Sequence, residues 1–240
     1  MSATVPARRR RLRRPSARMS SLALLQLVSP ALPVGGFSYS EGLEVLIQSE
    51  TIRDEQQLQA WLEAELSRGA IRLEAAALPS LLRALAAWSA GETAACRRVL
   101  DLDGWLLASR ESAELRAQQR QMGGSLLNLL AEMGHPLPEQ VALSWPAAWA
   151  WAAQALEVAE SEMVEGYLYG WVANQLSAAV RLLPLGPSRA QLLQHRLLPL
   201  IKGQAEQLQR RDPRQLWTSG VGAGMAQLTH AELYSRLFRS

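Results

Sequence analysis

A single cysteine, Cys96, stands in 240 residues. One cysteine cannot close an intramolecular disulfide or build a cysteine-rich zinc site, and its isolation suits a reducing compartment, so a cytoplasmic location is the expectation. Histidine is nearly as scarce. His135, His195 and His230 are far apart, and none belongs to a His-x-x-x-His or Cys-x-x-Cys group; each is expected to be solvated or hydrogen-bonded locally rather than to hold a metal. Lys202 is the only lysine, and it follows neither Gly35-Gly36 nor the glycines at 220–224, so no phosphate-cradling loop of the Gly-x-x-x-x-Gly-Lys-Ser/Thr kind is present. Ser38 beside Tyr39 invites comparison with a nucleophile that has His230 as its base, but nothing in the sequence brings the two together. Pro30 and Pro33 interrupt the apolar run from Leu22 to Val34, and no other run reaches transmembrane length. Neither catalysis nor a resident metal or cofactor is expected.

Strand formers are also few. Val, Ile, Thr, Tyr and Phe together number 26, against 43 Leu and 37 Ala, a balance that predicts an all-α fold. Nearly half the residues are hydrophobic, enough for one substantial core, and the expectation is a single-domain bundle of about eight to ten helices over residues 20–240. The formal charge of +3 conceals an asymmetry: residues 1–19 hold seven arginines and no acid, which leaves 18 cationic residues against 22 acids beyond them. The leader reads as a disordered segment or as sequence upstream of a start at Met19, in preference to an anionic-surface tether or a targeting signal. The body offers no cationic track for nucleic acid and no membrane span.

The stretch from Ser29 to Glu44 is the most informative. Pro30 and Pro33 stiffen it, Gly35 and Gly36 permit positive φ, and it presents Phe37 and Tyr39 before a helix that Ser40 would cap, with Glu41 and Glu44 in or near the first turn. Phe37, Tyr39, Glu41 and Glu44 are therefore expected to form one contact patch. Further on, Thr51 and Asp54 resemble a cap for a helix bearing Leu58, Trp61, Leu62 and Leu66 on one face. Pro79 should kink or restart the helix from Leu73 to Trp88, and Gly91 should close it. Helices follow from Glu92 to near Leu102 and from Ser109 to Met133, where Gly123 and Gly124 suggest a close helix crossing. A break at 134–138 precedes a helix from Trp145 to Leu156. The segment Glu160–Leu183 is apolar around nearly its whole circumference and should lie at the centre, with Asn174 and Gln175 needing partners. A last long helix from Ser188 to Leu208 turns Leu192, Leu193, Leu197 and Leu200 inward and bends at Pro199; the glycines at 220–224 precede a short helix and an extended tail.

The run Ser29–Glu44 closely resembles the opening motif of the UreF family of urease accessory proteins. Four other segments are similar to that family's pattern: residues 109–126, Gln175 to Gly186, Gln191-Leu-Leu193, and the ending Tyr234-Ser-Arg-Leu-Phe-Arg-Ser240. Pro187 and Ala190 stand where the family commonly has Gln and Gly, and Ala231 follows His230 where a Glu is usual, the acid being shifted to Glu232. The resemblance implies an all-helical, dimeric adaptor rather than an enzyme, binding UreD (UreH), recruiting the GTPase UreG and docking with apourease for nickel delivery. It adds Tyr169, His230, Tyr234, Arg236 and Phe238 to Phe37, Tyr39, Glu41 and Glu44 as partner-binding candidates, with the tail ordering against a partner. An unrecognised hydrolase, or a membrane or nucleic-acid binder acting through the arginine-rich leader, are the alternative readings.

Overall fold

The structure, a computed structural model, describes residues 17–239; the arginine-rich leader up to residue 16 and the last residue lie outside them. Among the described residues the chain forms ten α-helices and no strand: α1 (Ala17–Leu27), α2 (Leu43–Gln48), α3 (Glu55–Arg68), α4 (Ile71–Ser89), α5 (Thr93–Ala108), α6 (Ala113–Glu132), α7 (Trp145–Ala155), α8 (Glu160–Leu182), α9 (Pro187–Leu208) and α10 (Val221–Thr229). The expected all-α bundle is the fold found. Start signals read from the sequence act as caps: the Asp54 carboxylate accepts from Gln57 N at 2.8 Å, and Gln57 Oε1 in turn accepts from Arg53 N at 2.8 Å. Ser112 Oγ accepts from Leu115 N at 3.0 Å and opens α6.

The centre differs from expectation. It is built from α4 and α7, with α7 buried continuously from Pro146 to Ala153; α4 packs on α7, α5 and α8, and α6 packs on α7. Helix α8 packs on α9 and α4 but leaves Tyr169, Gly170, Trp171 and Asn174 partly exposed, so its near-circumferential apolarity serves a cavity wall as well as the core. Helix α4 runs unbroken through Pro79, whose ring is buried; packing of both flanking turns offsets the hydrogen bond that proline cannot donate. Gly123 is a close approach, though not of two helices: a Cβ there would collide with the carbonyls of Leu143 and Ser144, at the entrance to α7, while Gly124 faces open space. Buried Asp103 of α5 pins that entrance, its carboxylate accepting from Ser144 N at 3.0 Å and from Ser144 Oγ. On α9, Leu193 and Leu197 point inward as expected, but Leu192 is exposed. The glycines at 220–224 form the first turn of α10 rather than a linker before it.

Candidate functional site

The Pro/Gly loop does shape the backbone, by two left-handed turns. Gly35 takes φ 72° ahead of a 3-10 turn over Gly36–Ser38, and Glu41 (φ 51°) with Gly42 (φ 86°) then turns the chain into α2. Ser40 is not the N-cap; Gly42 holds that position, and Ser40 Oγ lies 3.4 Å from Glu44 N. The four residues expected to share one patch separate. Phe37 is 67 % exposed, whereas Tyr39, Glu41 and Glu44 are buried. Tyr39 donates its hydroxyl to Gln121 Oε1 at 2.6 Å, and its carbonyl accepts from Asn174 Nδ2 at 3.4 Å. Glu41 accepts from Gln118 Nε2 at 2.8 Å and from Trp171 Nε1 at 3.0 Å. These partners hold a non-glycine residue in left-handed backbone, a conformation that costs on the order of 1–3 kcal/mol.

Glu44 gathers the C-terminus. Its carboxylate accepts from Leu237 N at 2.6 Å and Phe238 N at 3.1 Å, and it lies 3.1 Å from His230 Nε2. The fully buried His230 ring presents Nδ1 to Glu114 Oε2 at 3.2 Å, and Arg236 donates to Glu114 Oε1 at 3.1 Å. The His230 ring is thus bonded by distant carboxylates rather than locally, and it is turned to Glu44 and Glu114, not to Ser38. Glu232, the displaced acid, forms no ion pair among the described residues. The tail is not extended. After a 3-10 turn at His230–Glu232 it folds back over the opening loop: Arg239 N donates to Ser38 O at 2.9 Å, and buried Phe238 lies under the Arg181 guanidinium, 4.4 Å from Cζ to the ring centroid. Arg181 also donates to Phe37 O at 3.0 Å, so one side chain of α8 touches both loop and tail. Tyr234, Leu237, Met225 and Leu228 remain exposed.

Beneath the loop lies a second buried polar group that the sequence reading missed. Glu74 of α4 accepts from Arg110 Nε at 3.0 Å and from its Nη2, and from Tyr167 OH at 2.7 Å, all three residues being buried. Burial pushes the Glu74 carboxyl up, and Arg110 opposes it; burial, reinforced by Glu74, raises the Tyr167 hydroxyl as well. Burial works against charge on Arg110, but Glu74 and Glu41 outweigh it and hold the guanidinium protonated. Glu65 of α3 is different: buried, its carboxyl without a hydrogen bond among the described residues, and set against Gly69 and Gly220, it is raised to about 7 by burial and then by Glu41. Both acids sit on the apolar faces of their helices, Glu65 beside Leu62 and Leu66, Glu74 beside Leu73 and Leu78, and that phase was the available signal.

A cavity of about 570 Å³ opens between the loop, α8 and the start of α9. Tyr169 lines it, so it stands apart from the tail; Glu41 and Glu74 reach it, as do Gln119 Oε1 and Gln194 Nε2, which are buried without partners among the described residues. Gln175, also buried, has no partner for either amide atom among the described residues. No group of three His, Cys, Asp or Glu fit to hold a metal ion occurs among the described residues.

A family model described as UreF matches residues 52–198. The chain is 40% identical over 228 residues to a urease accessory protein UreF of Prochlorococcus marinus (strain MIT 9215), covering 92% of this chain and all of that protein. It is 40% identical over 228 residues to the protein of the same name from Thermosynechococcus vestitus, and 41% identical over 227 residues to that of Microcystis aeruginosa; each match covers 91% of this chain and 97% of the relative.

Proposed function

Because the chain belongs to the UreF family of urease accessory proteins, we propose that it is a cytoplasmic, homodimeric adaptor that binds UreD (UreH), recruits and modulates UreG, and assists nickel insertion into apourease. The observation that carries this reading is the loop–tail face. An exposed aromatic of the opening loop, Phe37, and exposed apolar residues of the C-terminal segment, Tyr234 and Leu237, are joined by the tail's return onto Glu44 and by Arg181. Such a face offers amphipathic contact groups on backbone already fixed before any partner arrives, which lowers the ordering cost of association. Tyr39, Glu41, Glu44, His230 and Phe238 support the face from behind, and Arg236 holds the tail through Glu114. The residues that the sequence singled out together thus act as presenters and supports. Tyr169 belongs to the cavity wall, open to a second copy of the chain. No helix among the described residues is long and apolar enough to cross a membrane.

The test is co-purification of the full chain with UreD, UreG and apourease. The double variant Phe37→Ala/Tyr234→Ala, at positions that contribute little to the core, should keep its far-UV circular dichroism and lose about tenfold or more in affinity for UreD. Unchanged complex yield rejects the face.

A further inference from the structure

A third exposed aromatic lies outside the loop–tail contacts. Residues 209–219 leave the end of α9 and run to the end of α3. The Asp212 carboxylate accepts from Arg214 N at 3.0 Å to open a 3-10 turn over Pro213–Gln215 that packs on α4. Ser219 N donates to Arg68 O at 2.9 Å, so the segment is anchored at both ends. Between those anchors Trp217 is 91 % exposed. Tryptophan gains more than other side chains from burial, and here it gains almost nothing from its own chain.

The surroundings are rich in arginine. Arg210 and Arg211 precede the turn, and Arg68 and Arg72 stand where α3 gives way to α4. None of the four forms an ion pair or a side-chain hydrogen bond among the described residues. Arg214, the remaining arginine of the segment, is by contrast engaged by Asp101 at 2.6 Å and lies over the Trp105 ring. Arg72 is half-buried, and its Nε is shut from solvent with no acceptor among the described residues. Burial, and then the neighbouring charge of Arg211, hold the Arg72 guanidinium below its ordinary value. Two neighbouring guanidiniums that repel each other, neither paired with an acid among the described residues, are a site short of an anion.

We propose that Trp217, with Arg72, Arg210 and Arg211, forms a second docking surface that takes an acidic segment of a partner protein, its carboxylates on the guanidiniums and an apolar group on the indole. Tryptophan and arginine are the pair most enriched where interfaces concentrate their affinity, and the planar guanidinium matches a carboxylate fork. Nucleic acid fits less well, since beyond the leader acids outnumber cations and no extended cationic track continues from the patch. The inference rests on the adaptor reading and gives it a second face.

Binding of the purified full chain to UreD, to UreG and to apourease, each separately, tests it by biolayer interferometry at about 50 and about 300 mM NaCl. For at least one partner, Trp217→Ala and Arg211→Glu should each raise Kd about tenfold or more, with the wild-type affinity falling at high salt and the circular dichroism unchanged. A rise below that mark for all three partners overturns the surface. So does a fluorescein-labelled DNA strand of about 20 nucleotides whose binding both variants lose while protein binding persists. If the wild-type chain binds none of the three proteins, the adaptor reading fails and this surface with it. If it binds while the variants behave as wild type, only the surface fails.

Discussion

Glu65 is the residue whose setting has the most direct consequence for stability. Its carboxyl is raised to about 7 in the folded chain, against 4.5 unperturbed, by burial first and Glu41 second. The folded state therefore holds a proton that the unfolded chain has released between about pH 4.5 and 7, so stability falls as pH rises through that window and levels off above it; the full span is worth up to about 3 kcal/mol. Glu65→Gln should remove this dependence, raising stability at pH 8 by about 1–3 kcal/mol and converging with the wild type near pH 5. Urea denaturation across that range reads the difference, and a constant offset between the two proteins would contradict the assignment. At this scale the sequence was legible for side chains whose exposure follows from loop position, such as Phe37 and Tyr234. It was not for Tyr39, Glu41 and Glu44. Their orientation is decided by Gln121, Trp171 and His230, which lie far along the chain, and no local periodicity reports such partners.

Among the elements, the passage between α6 and α7 makes the sharpest comparison. Two adjacent glycines of one helix face opposite circumstances: at Gly123 a methyl group would strike the Leu143 and Ser144 backbone, and at Gly124 it would meet nothing within 4 Å. Gly123→Ala should destabilise by about 1–3 kcal/mol through forced backbone movement. Gly124→Ala should stabilise by up to about 1 kcal/mol through helix propensity. Chemical denaturation of both variants checks the pair; equal effects would mean that the approach at Gly123 is not tight. Helix existence was legible because capping residues and apolar spacing are local, as at Asp54; the start of α6 at Ser112, three residues past the expected Ser109, was not. The continuity of α4 through Pro79 was not, because what holds it is packing on α5, α7 and α8, which lie farther along the chain.

For the whole molecule, the helical body and the loop–tail layer are separable. The all-α class and the family resemblance could be read directly, since both rest on composition and on contiguous motifs. The folded-back tail could not, because it depends on Glu44 receiving backbone donors from the far end of the chain. Deleting residues 230–240 should therefore leave far-UV circular dichroism nearly unchanged while hydrogen exchange rises in residues 37–48, which lose contacts to His230, Phe238 and Arg239. Global unfolding, or exchange unchanged in that stretch, would contradict the separation.

The bond from the Arg239 amide to the Ser38 carbonyl sets a practical constraint on how the chain can be handled. Any affinity tag or fluorescent fusion appended at the carboxyl end emerges beside Phe37 and would shade the surface it was meant to help purify. The same pull-down should therefore yield less complex with a fusion at the carboxyl end than after that fusion has been cleaved away.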